Sequence, residues 1–135
     1  MKRSAVREKL FKVLFRVEFH ELAEMDEQTK LFFESEDEEK QESIEEVSAK
    51  INSIIELLPE LDKVICDHTS GWTIDRIGKV ELTILRLAVY EMKYDDAVPE
   101  SVAINEAVEL AKKYGPEESS GFVNAILGKI AKTAS

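Results

Sequence analysis

The stretch Thr73-Ile-Asp-Arg-Ile-Gly-Lys-Val-Glu-Leu-Thr-Ile-Leu-Arg-Leu-Ala-Val-Tyr-Glu-Met92 decides the fold. Ile74, Ile77, Val80, Ile84, Leu85, Leu87, Ala88 and Met92 recur at helical spacing and cover much of the circumference, not one stripe. A helix that is apolar on several sides must be touched on several sides. This one is therefore expected at the centre of a helical protein, with Thr73 capping its first turn.

The pattern stays helical in both directions. Residues 94–100 form a loop, and Val102–Tyr114 reads as a helix that stops at Gly115, ahead of Pro116. A last helix begins near Ser119 or Ser120 and carries Phe122, Val123, Ile126, Leu127 and Ile130. Upstream, Pro59 restarts a short helix running to about His68, with Leu61, Val64 and Ile65 inward, and Gly71-Trp72 breaks it. Before it lies a face of Ile44, Val47, Ile51, Ile54, Ile55 and Leu58, entered through the capping-box spacing Ser43-Ile-Glu-Glu46. Asp26 can cap a short helix holding Leu31, Phe32 and Phe33. Residues 4–22 read as the first helix, with Val6, Leu10, Val13, Leu14 and Val17 in one stripe. No segment alternates as a strand would. The expectation is an all-α protein of about seven helices.

A chain of 135 residues suits one domain, and no staple is needed to stabilise it. Its net charge of −10 argues against a general nucleic-acid coat protein. That charge is uneven, however. Residues 1–16 carry six cations (Lys2, Arg3, Arg7, Lys9, Lys12 and Arg16) against Glu8 alone, or +5, which leaves −15 on the remainder. Residues 34–46 are densely acidic. Such asymmetry marks a nucleic-acid or partner surface.

Other classes fall away. Cys66 is the only cysteine and has no internal disulfide partner, which fits a reducing compartment. The longest uncharged run, Ser119–Gly128, is far too short for a membrane span, and the basic N-terminus lacks the apolar segment of a secretory signal. A soluble cytoplasmic protein is expected. No phosphate-binding glycine loop or nucleophile motif is present, and Cys66-x-His68 lacks further ligands for a metal. No catalytic residue, cofactor or metal is assigned.

Two features rise above this background. Lys9, Lys12 and Arg16 form a basic face on the first helix, while Arg7, Phe11 and Phe15 form a column along one flank. Cations can hold phosphates and rings can stack on unpaired bases. Pro116-Glu-Glu-Ser-Ser-Gly-Phe122 opens the last helix, where free N–H groups and two hydroxyls can receive a phosphate or simply cap the helix.

Four segments occur in order: Trp72 to Glu81, Ile84-Leu-Arg-Leu-Ala-Val-Tyr-Glu91, Val102-Ala-Ile-Asn-Glu-Ala-Val-Glu-Leu-Ala-Lys112 and Phe122-Val-Asn-Ala-Ile-Leu127. Together they resemble the NusB family of bacterial transcription antitermination factors. The resemblance implies two packed helical subdomains within one RNA-binding domain over 1–135, divided into halves of about 1–70 and 71–135. It implies binding of single-stranded boxA RNA from ribosomal RNA operon leaders, as a heterodimer with the ribosomal protein NusE, on the way to an RNA polymerase antitermination complex. It assigns RNA contacts to Lys2, Arg3, Arg7, Phe15, Glu118, Ser119 and Phe122, and partner contacts to Asp75, Arg76 and Glu81. Arg86, Glu91, Asn105 and Asn124 read as structural, through a buried Arg–Glu contact and asparagines bonded to backbone. A homodimer that hides the RNA surface is a further possibility. The alternative to RNA binding is an all-helical adaptor that binds proteins only.

Overall fold

The computed structural model describes residues 3–34, 41–69 and 73–134; Lys2, Trp72 and the acidic residues 35–40 lie outside them. Among the described residues six α-helices run in order: α1 (Arg3–Phe15), α2 (Met25–Glu34), α3 (Gln41–Asp67), α4 (Lys79–Tyr94), α5 (Glu100–Tyr114) and α6 (Ser119–Ala134). Short 3₁₀ turns fall at Arg16–Glu18, Leu22–Glu24 and Ile74–Arg76, and no strand occurs among the described residues. The chain divides into two compact units, Met1–Glu56 and Leu57–Ser135.

In the first unit, α1 packs on α2. Val6, Leu10, Val13 and Leu14 are buried as their spacing predicts. The helix ends at Phe15 instead of running to residue 22, because the chain tightens into the turn that holds Val17. Glu21 and Glu24 then cap each other reciprocally, and α2 starts at Met25 with Asp26 in its first turn. Phe32 and Phe33 are buried in α2, while Leu31 is exposed.

In the second unit, α4 packs on both α5 and α6, which pack on each other. Every residue from Leu82 to Val89 is buried, as expected of a helix apolar on several sides. Two of these residues are polar and both are satisfied. The Thr83 hydroxyl donates to the Lys79 carbonyl at 2.8 Å, and the Arg86 guanidinium donates to Asp62. The buried face of α5 is built from Ala103, Ala107, Leu110 and Ala111, small side chains that allow close helix approach.

Several local expectations change. Pro59 does not restart a helix but lies inside α3, which runs unbroken from Gln41 to Asp67. Leu58, Leu61 and Ile65 on either side of it are buried, and that burial outweighs the one backbone hydrogen bond proline forfeits. Ser43 falls within the same helix, so the capping-box spacing does not start it. Thr73 precedes only a 3₁₀ turn; Ile77 is extended, and α4 begins after Gly78. Gly115 closes α5 at φ −101°, not in the left-handed region expected of a helix-ending glycine. Arg86 makes a two-pronged contact with Asp62, a partner that no motif named. Asn105 and Asn124 are exposed, so neither is a buried tie between helices.

Candidate nucleic-acid and partner interface

In the first unit the candidate residues lie on and just after α1. Phe11 is buried and stacks on Phe15 with centroids 6.0 Å apart, and Phe15 meets Phe19 edge-on at 5.3 Å. Spacings of four residues place the three rings in a ladder that runs from the core to Phe19, which is 57% exposed. Phe15 is half-buried and keeps part of its ring accessible.

The cations of this segment are less free than their spacing suggests. Arg7 is only 5% exposed and is engaged within the protein. Arg16 donates to the Gln28 carbonyl at 3.0 Å and to its side-chain oxygen at 3.1 Å, and its guanidinium lies 5.6 Å from the Phe32 ring centre. Lys12 is 3.9 Å from Glu8 one turn away. Arg3 opens α1, and Lys2 lies outside the described residues.

The second unit brings six residues around a cavity of about 180 Å³: Ile77, Gly78, Glu81, Glu118, Ser119 and Phe122. Residues expected of an RNA surface (Glu118, Ser119, Phe122) and one expected of a partner surface (Glu81) thus line a single depression. Asp75 and Arg76 stand exposed on the preceding 3₁₀ turn. Glu118 is exposed, Phe122 half-buried and Ser119 buried.

Why this depression forms is visible in the local sequence. Gly78 is the residue before α4, and Glu81 occupies the third helical position, where a carboxylate is favoured by the free N–H groups and the dipole. Glu81 folds back over Gly78; a Cβ there would lie 3.1 Å from its carboxyl carbon. Ser119 opens α6, and its hydroxyl donates a hydrogen bond to Glu81 Oε2. A Cβ at Gly115 would sit 2.7 Å from that hydroxyl oxygen. Close approach explains this glycine, since its backbone angles suit any residue.

Sequence reasoning missed Asp62 and the pairing of Gly78 with Glu81 and of Gly115 with Ser119. Gly78 and Glu81 lie in one quoted segment and Ser119 in another, but nothing in their spacing pairs them, and the helix entry at Gly78 was the one local signal. Cys66 is half-buried, and His68 Nδ1 lies 2.7 Å from the Val64 carbonyl oxygen. Among the described residues no cluster of three or more His, Cys, Asp or Glu is placed to hold a metal, and no helix is long and apolar enough to cross a membrane.

Comparison with known proteins agrees with these motifs. The NusB family model matches residues 4–132. The transcription antitermination protein NusB of Agathobacter rectalis is 49% identical over 131 residues, covering 97% of this chain and all of the relative. That of Lachnoclostridium phytofermentans is 48% identical over 130 residues, covering 96% and 98%. Among solved structures, Thermotoga maritima NusB superposes with a TM-score of 0.84 at 35% identity, covering 98% of this chain and 92% of that one. A chain from the crystal structure of the antitermination factors NusB and NusE in complex with dsRNA superposes at 0.85 with 28% identity, covering 97% and 96%.

Proposed function

Because this chain belongs to the NusB family, we propose that it is a transcription antitermination factor that binds single-stranded boxA RNA of ribosomal RNA operon leaders together with NusE. The observation that carries this reading is the depression where Glu118, Ser119 and Phe122 meet Glu81. It offers a half-open ring and a helix N-terminus to a nucleotide, beside the carboxylate that holds the Ser119 hydroxyl and the exposed Asp75 and Arg76 for a partner. On the first unit, Lys2, Arg3 and Phe15 offer charge and a second ring, while Arg7 supports α1 from within. No residue is assigned a catalytic role. The protein acts in the cytoplasm, where nascent RNA is made, and joins the RNA polymerase antitermination complex through its partner.

The charge distribution supports division of labour. Six cations on a chain of net charge −10 make a weak RNA binder, with a log–log salt slope of at most about −4 on single strands. The acidic remainder suits a basic ribosomal protein and speeds its encounter. RNA binding is therefore weak alone and stronger in the heterodimer.

Burial of Arg7 and the ties on Arg16 favour one second reading, an adaptor that binds proteins only. Titrating a labelled boxA-like single strand with the protein, with and without NusE, separates the two. Weak binding alone and tighter binding with NusE are expected; no binding in either state establishes the adaptor. Sedimentation across a concentration series, with and without RNA, checks for a homodimer that covers the same surface.

A further inference from the structure

We infer that Glu81 is a positioning residue that couples partner capture to RNA binding: it holds the Ser119 hydroxyl in the unbound protein and releases it when the partner takes its carboxylate. This inference rests on the function proposed above and adds to it how one surface reports to the other.

A serine hydroxyl has one proton to donate. Here that proton goes to Glu81 Oε2, and Ser119 is 1% exposed. While the bond lasts, the hydroxyl has no proton for a phosphate or a base. The carboxylate compounds the effect, since an anion bonded to the hydroxyl repels any phosphate that approaches it. Glu81 thus blocks the Ser119 position through both its bond and its charge.

The contact is built from both sides. Gly78 leaves the space into which Glu81 folds, and Gly115 leaves the space against which Ser119 packs. Glu81 is itself half-buried, so a partner can reach it. A lysine or arginine from a basic partner protein competes directly with the Ser119 hydroxyl for the carboxylate, through a stronger, charge-assisted bond. Once Glu81 turns to the partner, the hydroxyl is free to rotate into the cavity shared with Phe122 and Glu118. By linkage, RNA that takes the hydroxyl must raise partner affinity by the same factor.

The test measures RNA affinity by fluorescence anisotropy on a labelled boxA-like single strand, in the free protein and in protein saturated with NusE. Saturation is verified for each variant by titrating NusE. Ser119→Ala is expected to lose several-fold more RNA affinity in the saturated state than alone. Glu81→Gln is expected to bind RNA several-fold tighter than the parent when alone, and to gain less from NusE. Should Glu81→Gln fail to bind NusE, Ser119→Ala decides the matter. Equal losses in both states for Ser119→Ala, or a NusE gain in Glu81→Gln equal to the parent's, overturns the coupling while leaving the proposed function standing. Absence of RNA binding by the parent in both states overturns the proposed function and the coupling with it.

Discussion

Arg86 on α4 and Asp62 on α3 are joined by two parallel hydrogen bonds, Nε to Oδ1 at 2.7 Å and the second guanidinium nitrogen to Oδ2 at 2.9 Å. The Arg86 side chain is 9% exposed and that of Asp62 25%. The guanidinium has left water, and the Asp62 carboxylate offsets part of the cost of that burial. Asp62→Ala removes both of these bonds from a buried cation and is expected to cost about 2–4 kcal/mol, slightly under the range for fully buried pairs because Asp62 is partly wet. Urea unfolding measures it. Replacing both residues with leucine is expected to cost less than the sum of the single changes.

Pro59 sits exposed inside α3 and withholds the N–H that would reach the Ile55 carbonyl. Pro59→Ala is expected to stabilise the protein by about 2 kcal/mol, the helix-propensity gain of about 3 kcal/mol less the entropy, about 0.4–1 kcal/mol, that proline removes from the unfolded chain. Thermal melting followed by circular dichroism checks the direction, and an unchanged or lower midpoint contradicts it.

Glycines separate into two kinds. Gly121 and Gly128 lie within α6 with nothing near a would-be Cβ, so Gly121→Ala and Gly128→Ala are each expected to add about 0.5–1 kcal/mol. Gly115→Ala pushes on Ser119 and is expected to cost about 1–3 kcal/mol by overpacking. Denaturant midpoints should therefore rise for the first two variants and fall for the third.

On the RNA side, Phe15→Ala is expected to weaken boxA binding about tenfold, since stacking of one base is worth about 1–3 kcal/mol. Changing Lys2 and Arg3 to glutamine together is expected to flatten the log–log salt slope by about 1.4, or about 0.7 for each phosphate no longer neutralised on a single strand. Anisotropy titrations at several salt concentrations read both effects.

How much of this is legible in the sequence depends on the residue. The sequence of α4 announces its place, because apolar residues on all sides leave no face for water. The start of α4 is hidden: Ile74 and Ile77 keep helical spacing through a segment that is a 3₁₀ turn followed by an extended residue, and only Gly78 marks the true entry. Pro59 misleads because neighbouring burial overrides a local breaker. Spacing sets Arg7 on a flank beside Phe11, yet both are buried, since charge patterning says nothing about which elements cover a helix flank. The Glu81–Ser119 bond joins residues far apart in sequence, and no periodicity connects them.

Burial of α4 from Leu82 to Val89 also has a consequence in time. Amides there can exchange with deuterium only through large openings of the second unit, so they should be the slowest in that unit to label. Glu81 precedes that slow segment by one residue, in the first turn of α4. The carboxylate that would meet a partner therefore borders the part of the unit that opens least often, which anchors the turn that carries it.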